Sequence, residues 1–303
     1  MTDRYIAFAN SNVGRRLVGA LGLPAPVRLE RWSAGRTRPV DGALLLGGEG
    51  NLNEAVLPFA ERLTDSIFAF SDGQYGLPRW TAEHGPKLKA IVFDASGLTR
   101  FEQTIELRTF FQGALKGLDK CPHVVILGRA PESIKDPIAA SVQRSLEGFS
   151  RSLGKEIRRG GNVQLVYVGK GAEDQLEGAL RFFLSPKSAY VSGQVVRLSA
   201  YDKQVQDWSR PLVGKRALVT GAARGIGAAI AETLARDGAR WCCWMCHRPR
   251  TRSTPSPRAW VAVAWRWISA PLMLESNWWR HCPMASISWC TTPASPATRP
   301  SPR

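Results

Sequence analysis

Thr220-Gly221-Ala222-Ala223-Arg224-Gly225-Ile226-Gly227 is the stretch whose residue types and spacing point most directly to chemistry. The apolar run 217–219 before it reads as a buried parallel strand, and the Ala-rich 228–231 after it opens a helix. A strand, a glycine-rich turn and a helix N-terminus together make an anion site. Backbone N–H groups point outward there, and the helix dipole favours a pyrophosphate. Gly221 permits the tight turn, Gly225 lets backbone approach a phosphate, and Gly227 lets the helix pack on the strand. The candidate cofactor-binding residues are Gly221, Arg224, Gly225, Ile226 and Gly227. The alternative is a glycine-rich turn in an ordinary α/β protein.

Two other patterns could carry chemistry. Gly47-Gly48-Glu49-Gly50 lies between an apolar run and a helical pattern, so it could cradle a phosphate. A tight turn that binds nothing is favoured, because the Gly-x-x-x-Gly-x-Gly spacing is missing. Cys243-Trp244-Met245-Cys246-His247 spells the C-x-x-C-H of c-type haem attachment. Haem would need an export signal and a second axial ligand, and zinc would need a second Cys or His pair nearby. Neither is found, so no metal site is expected.

The wording from Val219 to Gly227 resembles the nucleotide-binding turn of the short-chain dehydrogenase/reductase family, and most of all the 3-oxoacyl-acyl-carrier-protein reductases. That resemblance implies hydride transfer from NADH or NADPH to C3 of a 3-oxoacyl thioester. A Tyr would protonate the developing alkoxide, a Lys would lower that Tyr's pKa, and a Ser would orient the carbonyl.

The elements that must position this turn follow from periodicity. Residues 12–23 form a short helix, and 24–39 an irregular arm rich in Pro and Arg. Strands at 43–46, 90–93, 124–127 and 163–167 alternate with helices at 52–63, 102–118, 138–157 and 175–184. This alternation predicts a doubly wound, Rossmann/flavodoxin-like parallel sheet covered on both faces. It would occupy residues 1–199, with a polar linker at 200–214. The start of a second, catalytic Rossmann domain would then occupy 215–240, followed by an unstructured tail at 241–303.

Within the first domain, Leu146-Glu147-Gly148-Phe149-Ser150-Arg151-Ser152-Leu153-Gly154-Lys155-Glu156 resembles the helix that carries the catalytic Tyr-x-x-x-Lys of the family. Ser188-Ala189-Tyr190-Val191-Ser192-Gly193-Gln194-Val195-Val196 resembles its closing segment. Anchored on Gly148-Phe149, the Tyr position falls on Ala139 and the Lys position on Gln143. Alanine has no proton to give, and glutamine has no charge to lower a phenol pKa. No Tyr-x-x-x-Lys occurs anywhere in the 303 residues. The layout is similar to that of the long two-domain 3-oxoacyl reductases, in which a non-catalytic domain precedes the catalytic one. The resemblance covers about residues 12 to 240, and no catalytic residue is assigned in this chain.

Composition breaks at Trp241. From there to Arg303 there is no Gly, Lys, Asp, Tyr or Phe, while eight of the eleven Trp and nine of the twenty Pro are present. A ready explanation is a GC-rich gene read out of frame. Codons compatible with residues 240–246, started one base early, can spell Val-Val-Leu-Leu-Asp-Val, a second Rossmann strand ending in an acid. The same shift over 259–270 gives Val-Gly-Gly-Arg-Gly-Leu-Ala-Leu-Asp-Ile-Ser, and over 285–303 it gives a segment containing Asn-Ala-Gly, a motif of the family. The expectation is a frameshifted, truncated second domain; the alternative is a genuine divergent tail. In the hidden frame, the acid would hydrogen-bond the ribose hydroxyls and favour NADH. Here that position is Trp244-Met245, so dinucleotide binding should be weak or absent.

Charge and cysteine agree. Of the formal net charge of +16, the tail contributes +7, and the remainder forms no basic stripe or nucleic-acid motif. Cys121 stands alone in the first 240 residues, as expected of a reduced cytoplasmic protein. Arg15-Arg16 before an apolar run mimics a twin-arginine signal, but Pro24 and Arg28 cut it short, leaving an amphipathic helix. No run is long enough to span a bilayer. Neither nucleic acid nor membrane is expected as a partner. The resemblance implies acyl-carrier-protein or coenzyme A thioesters and a homo-oligomer for intact relatives. A non-catalytic interaction domain is the competing function.

Overall fold

The computed structural model describes residues 4–23, 27–33, 36, 38–201, 205, 207–222 and 225–244. The chain divides into two units, Met1–Gln204 and Val205–Arg303. The first begins with two short helices, α1 (Arg4–Ala9) and α2 (Asn12–Ala20). It continues with strands β1 (Ala43–Gly48), β2 (Ser66–Ala69), β3 (Leu88–Asp94), β4 (Leu118–Gly128), β5 (Asn162–Val168) and β6 (Gln194–Leu198). All six pair in parallel, in the order β2-β1-β3-β4-β5-β6.

Successive strand residues point to opposite faces, and both faces are covered, so the inner strands are apolar at nearly every position. Leu44, Leu46, Val92, Leu127 and Val166 pack in one core with helices α3 (Leu52–Ala60) and α6 (Leu176–Phe183). Leu45, Ile91, Phe93, Ile126 and Leu165 pack in the other with α4 (Ile105–Ala114) and α5 (Pro137–Glu156). This is the doubly wound α/β sheet expected, in the flavodoxin-like strand order. Its winding reverses between β1 and β3, which is where ligands of such sheets bind.

The second unit holds one further strand–turn–helix–strand: β7 (Arg216–Thr220), α7 (Gly225–Arg236) and β8 (Arg240–Trp244). The two strands pair in parallel and in register, Arg216 with Arg240 through Thr220 with Trp244. The tail was expected to begin at Trp241, yet main-chain pairing runs on to Trp244. A parallel ladder needs only backbone N–H and C=O groups, and Trp suits a pleated strand. The rest of the expected tail, 245–303, lies outside the described residues.

The local differences in the first unit have physical causes. β2 is a four-residue, partly exposed strand at the sheet edge, too short for its apolar residues to set a period. The helix expected over 102–118 is tightened at both ends into 3₁₀ turns, and Leu118 already belongs to β4. Gly117 is the reason for the C-terminal break. The Trp80 ring sits where its Cβ would be, 2.1 Å away, so the chain turns beneath that ring.

The irregular arm is tied to the base of the sheet by charge. The buried Lys89 ammonium pairs with the Glu30 carboxylate and donates to Lys120 O at 2.5 Å. Nearby, buried His123 lies 3.2 Å from Asn162 Oδ1 through its Nδ1. Asn162 spends its amide N–H on Ser188 O, which leaves Oδ1 as the acceptor and Nδ1–H of a neutral imidazole as the donor. Burial drives the His123 pKa down to about 4, and the Asn162 hydrogen bond offsets this only partly.

This pKa fixes a pH dependence. The folded value lies below the unfolded one of about 6.5. The contribution to stability is therefore whole above about pH 6.5 and is lost as pH falls toward 4, because the unfolded chain takes the proton first. Between pH 7 and pH 5 the first unit should lose about 2 kcal/mol. Urea denaturation at the two pH values checks this. His123→Gln should flatten the difference, and an unchanged pH response in that variant would refute the assignment.

Candidate functional site

The glycine turn between β7 and α7 has the geometry that its residue types anticipate. Gly221 and Gly225 have φ of +65° and +63°, a left-handed backbone that favours glycine. The space beside each is open, with no atom within 4 Å of a would-be Cβ. Gly227 is the reverse case: a Cβ there would lie 2.4 Å from Gly221 O, so the first turn of α7 rests directly on the loop. Ile226 is 83 % exposed, and its side chain stands clear of the turn. Arg224 lies outside the described residues. The turn can thus bring backbone N–H groups to an anion at the start of a 12-residue helix.

What supports this turn is slight. Among the described residues of the second unit, buried Val219, Ala222 and Ala231 form a small core, with Leu234 packed against it. Leu218, on the other face of β7, is exposed. Among the described residues only β8 pairs with β7, and a lone two-stranded pairing is marginal in water. β8 ends at Trp244, where the ribose-binding acid is expected from the resemblance, so no carboxylate stands at that strand end.

The first unit contains the same local construction, with a different outcome. β1 runs into Gly48-Glu49-Gly50, and α3 starts at Leu52, at the switch point of the sheet. The carboxylate of Asp94, from the end of β3, fills this helix N-terminus. Leu52 N–H donates to Asp94 Oδ2 at 2.7 Å and Asn53 N–H at 3.2 Å, while Ser96 N–H donates to Oδ1 at 2.9 Å. A Cβ on Gly50 would meet both Asp94 oxygens at 2.7 Å. The chain thus supplies its own anion where a phosphate would sit, and the turn favoured as a non-binding one is closed. Sequence reasoning did not single out Asp94; an Asp at the end of a fully apolar strand, Phe93-Asp94-Ala95-Ser96, was the available signal.

Ala139 and Gln143, the positions that the resemblance would align with a catalytic Tyr and Lys, have structural roles here. Ala139 is buried in the inward face of α5. Gln143, also buried, donates through Nε2 to Ala95 O at 2.7 Å and to Leu98 O at 2.9 Å, and accepts from Arg129 N–H at 2.8 Å. Its own carbonyl accepts from the Tyr167 hydroxyl at 2.8 Å. Gln143 therefore joins the loops after β3 and β4 to α5, with no group left free for proton transfer. Among the described residues no group of three or more His, Cys, Asp or Glu could hold a metal ion. Of the C-x-x-C-H pattern, Cys243 and Trp244 lie in β8, and Met245, Cys246 and His247 lie outside the described residues. Among the described residues no helix is long and apolar enough to cross a membrane.

No family model and no curated protein matches the chain. Among solved structures, the chain is similar to BdcA from E. coli, at 15 % identity over 53 % of this chain and 99 % of that one, with a TM-score of 0.40. It is also similar to a short-chain dehydrogenase/reductase from Serratia marcescens BCRC 10948, at 14 % identity over 52 % and 94 % of the two chains, with a TM-score of 0.39. A third is a putative short chain dehydrogenase from E. coli CFT073 complexed with NADPH, at 12 % identity over 54 % and 98 %, with a TM-score of 0.41. At such identities and TM-scores the likeness carries no functional weight.

Asp94 is the site residue with the clearest expected effect. Asp94→Ala leaves two buried amides and a part-buried one without an acceptor and should cost on the order of 3 kcal/mol. Urea denaturation followed by far-UV circular dichroism measures it. A change below about 0.5 kcal/mol would mean that the amides find other partners.

Proposed function

We propose that this chain derives from an NAD(P)H-dependent 3-oxoacyl-thioester reductase of fatty-acid metabolism, and that as written it is inactive. The observation that carries the reading is the 216–236 strand–turn–helix. Its wording resembles the family, its Gly221 and Gly225 adopt positive φ, and its Gly227 leaves no room for a side chain. In this reading Gly221, Arg224, Gly225, Ile226 and Gly227 would face the pyrophosphate of NAD(P)H, with NADH preferred through the acid hidden in the alternative frame. The cofactor would supply the hydride. This chain's own contribution is limited to backbone N–H groups, because no Tyr-x-x-x-Lys is present and Ala139 and Gln143 are committed to packing and hydrogen bonds. Acyl-carrier-protein or coenzyme A thioesters and a homo-oligomer belong to the frame-restored protein. A cytoplasmic setting suits the free, buried thiol of Cys121.

A second reading, a non-catalytic interaction domain, draws on the first unit. It has a complete double-sided core, and its switch-point turn is filled by Asp94. One assay separates the two: oxidation of NADH with acetoacetyl-coenzyme A, by the chain as written and by a version with the frame restored across residues 238–245 and continued. The chain as written should show no turnover and weak dinucleotide binding. The restored protein should show both, since general acid catalysis alone contributes about 10²–10⁴-fold. Equal turnover would overturn the proposal, and no turnover by either would favour the second reading.

A further inference from the structure

The N-terminal helices present a surface that nothing described so far uses. α2 spans nine residues and α1 six, lengths at which isolated helices are marginal in water. Within the pair, Ala9, Gly14 and Val18 are buried. The large apolar side chains point outward instead. Val13, Leu17 and Leu21, spaced four apart along one face, are 74 %, 50 % and 63 % exposed, and Tyr5 and Phe8 of α1 are exposed beside them. By helical spacing Arg15 lies on the opposite side of α2 from this stripe and Arg16 on its flank, both exposed. From residue 4 to residue 29 the sequence contains four Arg and no Asp or Glu.

A short helix with one apolar face, an arginine-bearing back and no acid suits an interface that is apolar below and anionic above. Two copies of the hairpin would bring like charges together, which disfavours a second copy as the occupant. An anionic bilayer surface offers both complements. Its acyl boundary accepts the Val13–Leu17–Leu21 stripe, and its headgroups accept the guanidinium groups. We propose that the α1–α2 hairpin docks this protein peripherally on anionic lipid, with α2 lying in the plane of the headgroups. This departs from the sequence expectation that no membrane is a partner, and it involves no spanning segment. It is independent of the reductase reading.

Peptide-resolved hydrogen exchange on the full chain tests the proposal, because it separates the hairpin from the Arg- and Trp-rich C-terminal segment. The probes are phosphatidylglycerol/phosphatidylcholine vesicles, pure phosphatidylcholine vesicles, and poly-glutamate as a soluble polyanion. Peptides covering residues 4–23 should exchange about tenfold more slowly with the anionic vesicles only. Exposed Leu17→Glu should abolish that protection without altering exchange elsewhere in the first unit, and Arg15→Glu with Arg16→Glu should weaken it. Four results would each overturn the proposal. One is unchanged exchange of 4–23 with anionic vesicles, even if the chain sediments with them. Another is equal protection in Leu17→Glu. The third is equal protection by poly-glutamate, which would assign the surface to an acidic protein. The last is protection that grows with protein concentration without lipid, which would assign it to a second copy.

Discussion

Among the described residues strand β7 has one hydrogen-bonded neighbour, β8, and what the glycine turn at its end can do depends on how that strand is held. A helix N-terminus binds an anion only when its N–H groups are held still, and what holds them is the sheet beneath and the helix packed on it. In the first unit the equivalent strand, β1, has β2 on one side, β3 on the other, and helices on both faces. In the second, β7 has β8 on one side, and three buried residues make up the core. The contrast lies in support, because Gly221 and Gly225 already hold the left-handed backbone that such a turn needs.

The two strand–turn–helix constructions also show how such a turn is put out of use in opposite ways. At the switch point of the first unit the cradle is well supported and already occupied, since Asp94 takes the N–H groups of Leu52, Asn53 and Ser96. Exchanging a mobile phosphate for a tethered carboxylate fixes the start of α3 without a ligand and removes the site. Gln143 does comparable work on α5. Its side-chain amide nitrogen and oxygen are both spent on main-chain partners. Both side chains hold main-chain groups of neighbouring segments in place.

Much of the fold was legible because a parallel sheet covered on both faces demands continuous apolar runs, and 43–46, 90–93, 124–127 and 163–167 supply them. β2 and β6 were harder to see because they are short edge strands and partly exposed. The glycines of the second-unit turn were legible one by one, because positive φ and absence of room for a Cβ are backbone demands that only glycine meets. Asp94 was not, because its role depends on a partner some forty residues away in sequence. The extension of β8 into 241–244 was hidden as well, since main-chain pairing is indifferent to the compositional break that side chains announce.

The sequence by itself determined the α/β class, the parallel alternation, the glycine turn at 221–227, the absence of a Tyr-x-x-x-Lys and the break in composition at Trp241. Each is a matter of residue type at close spacing, where propensity and periodicity act directly. Only the tertiary structure decided the strand order β2-β1-β3-β4-β5-β6, and with it the switch point. It also decided that Asp94 fills the anion cradle there, that Gln143 is a structural brace, and that the apolar stripe of α2 faces solvent. These outcomes depend on which distant segments meet. Contacts of long sequence separation are selected by the packing of whole layers, and no local pattern encodes them.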